Sequence, residues 1–380
     1  MVQTMTSKER MLAALRGEKV DHVPFCLSWN MKQPHEKLTW KNERQKLEAH
    51  RDKGWDSLLS IYPLVTPCAE VKIEMRFEGS GDNRVLCQSW KTPAGEITEK
   101  LKATADWDEL DNNPAYMQFM SDFRTSRYLE FPFKTMVDLD ALEYLFPLEN
   151  PYDTEKITQE YYEKRKLADE LGFPLFTYLD AGMDWLLWLY PPEEAITRVI
   201  EEPEHIKKLL SHINSAKLQR LKLLLDLGID CVKRRGWYES TDLWSPEVFR
   251  SFARPAVEKE IEITHKAGKP YAYIMVTGIM PLLSELASMK FDCLVGPEPV
   301  LGGQDLNKIR DSLPGKTIWS GLSGPEHFAE GSPANAEKAV EDAISIYGKK
   351  GFILGMEVGF RNYFKWENFE AAEKAWRRLA

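Results

Sequence analysis

Apolar positions along the chain follow two periods. Near the start, Thr6, Ser7, Lys8 and Glu9 have the spacing of a capping box, and residues 10–15 continue as a helix that Gly17 stops. Helical spacing returns at 47–53, 139–146, 155–171, 193–200 and 203–227; in the last, Ile206, Leu209, Leu210, Ile213, Leu221, Leu224 and Leu225 recur on one face. Between these lie short apolar runs at 21–27, 58–61, 174–178, 229–232, 271–276, 291–295, 317–319 and 352–354. From Val71 to Leu101 the period shortens to two. Val71, Ile73, Met75 and Phe77 alternate with charged residues, and turns at 79–83 and 92–95 separate three strands. Residues 106–133 show neither period and are assigned no element.

Eight short strands, most followed by helices, with Gly172, Gly228, Gly268 and Gly351 closing helices just before strands, predict a closed (β/α)8 TIM barrel in one domain over 1–380. The antiparallel meander at 71–102 is an insertion into it. A doubly wound sheet is the alternative, but no GxGxxG or GxxxxGK[ST] follows a strand.

Composition narrows the function. With 50 Lys+Arg against 59 Asp+Glu, the formal charge of −9 argues against a nucleic-acid surface, which needs a basic stripe. No apolar run approaches the roughly 18 residues that span a bilayer, and five scattered cysteines without a CxxC fit a reducing compartment, so a cytoplasmic location is expected. Twelve Trp, 14 Tyr and 17 Phe make a pocket for a planar ligand plausible.

In a barrel, chemistry gathers where strands end and the following loops begin. The densest cluster there is 234–240, where Tyr238 and Glu239 are the acid/base candidates, Arg235 the anchor for a carboxylate and Trp237 a lining residue. Asp180, four residues before Asp184, is a third proton-handling candidate. Substrate contacts are expected from Asn30, Lys32 and Gln33 after the first strand, Tyr178 after the third, Tyr273 and Met275 after the fifth, Glu298 between two prolines, and Glu357 and Arg361 after the eighth. No HxH, HExxH or CxxC occurs. A metal is left open, with Glu239, Glu298 and Glu357 as hard donors that separate strands could bring together.

The opening stretch 6–24, Lys91-Thr92-Pro93-Ala94-Gly95, Ser245-Pro246-Glu247-Val248-Phe249 with Arg254-Pro255, 265–270 and Trp366-Glu367-Asn368 together resemble the uroporphyrinogen decarboxylase superfamily across nearly the whole chain. The resemblance implies a (β/α)8 barrel with its pocket at the carboxyl ends of the strands. True uroporphyrinogen decarboxylases use no cofactor and hold a tetrapyrrole rich in carboxylates with an arginine-containing segment after the first strand. Here 29–35 lacks that arginine pair. The insertion with its Thr-Pro-x-Gly turn is more similar to the corrinoid-linked branch, which includes coenzyme M methylating enzymes and O-demethylases. Many of that branch bind zinc through a His-x-Cys pair at the fifth strand and a Cys near the eighth. This chain has Tyr271 to Gly278 and Met356 to Gly359 there, without a zinc ligand of that set.

The expected activity is therefore a methyltransferase or demethylase that moves a methyl group from a small methoxy or methylamine substrate to a corrinoid on a partner protein. Family analogy adds a homodimer. A cofactor-free decarboxylase or lyase of a small acid is the second expectation, and a non-catalytic binding protein with Trp29, Trp237 and Phe360 plugging the mouth is the third.

Overall fold

The computed structural model describes residues 4–29, 35–103, 126–134 and 136–380. Seven parallel strands form one curled sheet in chain order: β1 (Leu59–Ile61), β6 (Leu175–Asp180), β7 (Cys231–Arg235), β8 (Tyr271–Ile274), β9 (Cys293–Val295), β10 (Thr317–Gly321) and β11 (Phe352–Gly355). The intervening β2 (Lys72–Glu78), β3 (Val85–Thr92), β4 (Gly95–Lys102) and β5 (Tyr128–Glu130) make a separate antiparallel sheet.

The expected first strand is reduced to a single parallel bridge, Phe25 with Leu354 of β11. Backbone hydrogen bonds of 2.9 Å join Cys26 N–H to Leu354 O and Leu354 N–H to Pro24 O; on the other side Asp56 N–H reaches Phe25 O, also at 2.9 Å. The meander forms as read, with Val85 opposite both Glu78 and Lys102. Part of the stretch left without an element does form one: β5 pairs with β4 through a register shift at Lys100/Leu101. Residues 104–125 lie outside the described residues.

Alternation along the parallel strands divides them between two cores. In the β7–β8 register, Val232 stands beside Tyr271, Lys233 beside Ala272, Arg234 beside Tyr273 and Arg235 beside Ile274. One parity, with Cys231, Ala272, Ile274, Cys293, Val295, Trp319 and Ile353, fills the hollow of the sheet together with Met11, Ala14 and Leu15 of the Ser7–Leu15 helix. The other, with Val232, Tyr271, Tyr273, Met275 and Leu294, packs outward against the helices. The Ser7–Leu15 helix carries the predicted capping box at Thr6 and Glu9, and its fully buried Arg10 ties Asp21 (2.6 Å) to Asp56 (2.8 Å). No helix among the described residues is long and apolar enough to cross a membrane.

Candidate functional site

The hollow opens at the carboxyl ends of the parallel strands into a cavity of about 240 Å3. Ser60, Tyr178, Lys233 and Trp319 reach it from four strands, Met356 and Glu357 from the segment after β11, and Cys26 to Trp29 from the segment after Phe25. Glu43 and Lys46 come from the Glu43–Lys53 helix, and Lys164 from the Pro151–Leu171 helix.

At its centre Lys233 Nζ donates to Glu357 Oε2 at 2.7 Å, with side chains only 9% and 6% exposed. The ammonium stands 4.8 Å from the Trp319 ring centre and 5.8 Å from that of Tyr178, so two aromatic rings flank it where it lines the cavity. Burial first, and the Glu357 charge second, push the Tyr178 phenol well above its ordinary range. It is a neutral donor at physiological pH. Tyr62, 46% exposed, tilts against it at 5.3 Å.

Glu239 and Tyr273, expected at the mouth, are elsewhere. Both are fully buried between the sheet and the helices. Glu239 accepts from both terminal nitrogens of Arg234, from Tyr273 Oη at 2.5 Å and from Met183 N–H at 2.8 Å. Arg234 Nε also stands 3.3 Å from Glu260, which accepts from Tyr271 Oη at 2.5 Å. Gly182 and Gly236 close over this pair. A Cβ on Gly236 would come within 2.9 Å of both Arg234 Nη1 and Glu239 Oε2, and Gly182 has φ +80°. Parity causes the misplacement: a strand sends alternate residues to opposite faces, and Arg234, Tyr273 and Met275 have the outward parity.

Arg235 has the inward parity. Its Nε donates to Asp184 at 3.0 Å, and the Asp184 carboxylate also takes the backbone N–H groups of Trp237 (3.2 Å) and Tyr238 (3.0 Å). Burial raises Asp184 to about 6. The Trp188, Trp237 and Tyr238 rings surround the Arg235 guanidinium at 4.8 to 5.9 Å, and Trp237 packs on the inner core. Asp180 is a buried partner of Lys217, at 3.1 and 3.2 Å, and burial raises its carboxyl.

Glu298 is buried beside a second small hollow that Met356 and Glu357 also line, and it accepts from Val300 N–H at 3.1 Å. Arg361 is half-buried and outside the cavity lining. Asn30, Lys32 and Gln33 lie outside the described residues. Of the residues expected at the site, the structure thus brings Tyr178 and Glu357 together around the cavity. It adds Lys233, Trp319, Lys46 and Lys164, which sequence reasoning passed over. Lys233 directly follows the expected run 229–232, but β7 extends to Arg235 and turns Lys233 into the hollow.

The three carboxylates proposed as hard donors do not converge, since Glu239 lies on the other side of the sheet from Glu357. Among the described residues no three His, Cys, Asp or Glu side chains stand together as a metal site. Residues 271–278, in and after β8, include no His, Cys, Asp or Glu, so that stretch offers a zinc ion no ligand.

A family model described as uroporphyrinogen decarboxylase (URO-D) matches residues 128–379. Among solved structures, a methyltransferase from Methanosarcina mazei superposes with a TM-score of 0.64 at 15% identity, covering 98% of this chain and 99% of that one. A B12-independent methionine synthase from Shewanella sp. W3-18-1, in complex with selenomethionine, gives a TM-score of 0.48 at 10% identity over 94% of this chain and 98% of that chain, too low to carry an argument. Compared with curated protein sequences, the chain matches none. The structural likeness speaks for the fold; the family match spans more than half of the sequence and agrees with the motifs at 245–255, 265–270 and 366–368. The chain belongs to the uroporphyrinogen decarboxylase family.

Proposed function

We propose that this chain is a methyltransferase that holds a small methyl donor at the carboxyl ends of its parallel strands, with a corrinoid on a partner protein as the acceptor. In this reading the segment around Phe25 serves as the eighth strand and closes the barrel, a role supported by its hydrogen bonds to Leu354 on one side and Asp56 on the other.

The observation that carries the reading is the Lys233–Glu357 pair inside a cavity of about 240 Å3. That volume lies below the roughly 300–1,000 Å3 of pockets that take drug-sized ligands, so it favours a small guest over a tetrapyrrole. When a methyl group leaves an ether oxygen or an amine nitrogen, the atom left behind keeps the bonding electron pair and needs a proton or a positive charge beside it. Lys233 has three N–H donors and gives one to Glu357, which leaves two for that atom. Glu357 holds the Lys233 side chain in place at 2.7 Å, and the neutral Tyr178 phenol is a second donor. General-acid assistance of this kind contributes about 10²–10⁴ in rate. The corrinoid would supply the nucleophile that accepts the methyl group. Tyr62, 46% exposed on the cavity wall, leaves that side of the guest open to a group carried by another protein.

The test mixes the purified chain with a reduced corrinoid protein and a panel of methyl ethers and methylamines, and follows the cobalt absorbance. A substrate-dependent shift that disappears in Lys233→Met supports the proposal. No shift with any compound overturns it. A cofactor-free decarboxylase is the second reading, favoured by the lysines on the cavity wall; carbon dioxide release from a small acid without any corrinoid would establish it instead.

A further inference from the structure

We propose that Lys46 and Lys164 form an oxyanion subsite that seats a carboxylate or phosphate head group of the guest, on the cavity wall built by helices rather than strands. The inference rests on the cavity being the substrate site, and it adds the class of compound the site selects.

Two lysines from separate helices line the same small cavity. Lys46 is only 12% exposed, yet the only carboxylate within ion-pair reach among the described residues is Glu43, at 4.0 Å. Glu43 is itself 37% exposed, so water screens its charge more than that of Lys46. Among the described residues the Lys46 ammonium donates no hydrogen bond, although a desolvated ammonium carries three donors. Lys164 spends one donor on Ser60 O at 2.5 Å and pairs with Glu160 at 2.8 Å, which leaves one N–H. Burial pulls Lys46 below its ordinary range, and Glu43 and Lys164, which also act on it, oppose each other in sign. Lys233 and Glu357 pair with each other on the strand side and largely cancel. An oxyanion bridging Lys46 and Lys164 would relieve the desolvated charge and satisfy the spare donors, whereas a neutral guest would leave them unmatched.

Direct binding tests this without any methyl transfer, so a failed cobalt assay leaves the result standing. The intact protein is titrated calorimetrically with acetate, succinate, inorganic phosphate, acetamide and succinamide. The acids should bind at least about tenfold more tightly than the matching amides, the difference expected of a charge-assisted hydrogen bond. Phosphate against succinate identifies the head group preferred. Lys46→Met should lose about tenfold or more in acid affinity with amide binding unchanged, and Lys46→Arg should keep it. Acids that bind no better than amides, acids that fail to bind at millimolar concentrations, or a Lys46→Met protein that binds acids normally would each overturn the proposal. The comparison of acid with amide needs no variant, so a poorly folding mutant does not remove the test.

Discussion

At the residue scale the site turns on how charges are paired once they leave water. Lys233 and Glu357 are each at most 9% exposed and 2.7 Å apart, so removing one strands the other. Lys233→Met and Glu357→Gln should each cost about 1–3 kcal/mol in urea denaturation, a range set by loss of one partner of a buried charged hydrogen bond. The double variant should recover part of that loss, giving a coupling energy of at least about 1 kcal/mol. Additive costs would mean that the pair does not interact as described. Sequence reading found Glu357 and Tyr178 because both follow or end strands. Lys233 was passed over because the expected run stops at residue 232, whereas β7 continues to Arg235 and sends Lys233 inward.

At the scale of elements, legibility depended on boundaries and parity. Capping chemistry at Thr6 and the alternation of the meander are local, and both formed as read. The second helix was expected from residue 47, but Asn42 caps it and it begins at Glu43, which puts Lys46 in its first turns facing the cavity. The Asn42 side chain accepts from Gln45 N–H at 3.0 Å, and the polar 43–46 stretch offers no apolar period that marks this start. Which strand residues face inward is a nonlocal matter, decided by closure of the sheet, so Arg234, Tyr273 and Met275 were placed at the mouth when they pack outside it.

The same helix carries a test of acid stability. His50 is fully buried among Trp29, Trp40 and Trp55, with ring centres at 5.2 to 5.7 Å, and neither ring nitrogen has a hydrogen-bond partner among the described residues. Burial lowers its pKa to about 3. Between about pH 3 and 6.5 the unfolded chain therefore binds a proton that the folded chain does not, so stability is fully present above the unfolded value and falls as the pH drops through that window. His50→Phe should flatten the stability slope between pH 4 and 6 by up to one proton, about 1.4 kcal/mol per pH unit, measured by urea denaturation across that range. An unchanged slope would show that His50 takes up a proton in the folded state.

For the whole molecule, alternating helix and strand signals were enough to anticipate a curled parallel sheet with an antiparallel insertion. That frame gathers the Lys233–Glu357 pair, two lysines from helices and the rings of Trp29, Tyr62, Tyr178 and Trp319 around one small cavity. It sends the Arg234–Glu239–Glu260 network to the opposite side of the sheet, where it ties strands to helices. In the proposed reading the chemistry belongs to the inner cavity and not to that network. The most direct measurement is kcat/KM for Glu357→Gln and Glu239→Gln in one methyl-transfer assay, at a temperature where circular dichroism shows both folded. Glu357→Gln should lose at least about 100-fold, the lower end of general acid–base assistance, and Glu239→Gln less than about tenfold. The reverse order would contradict it.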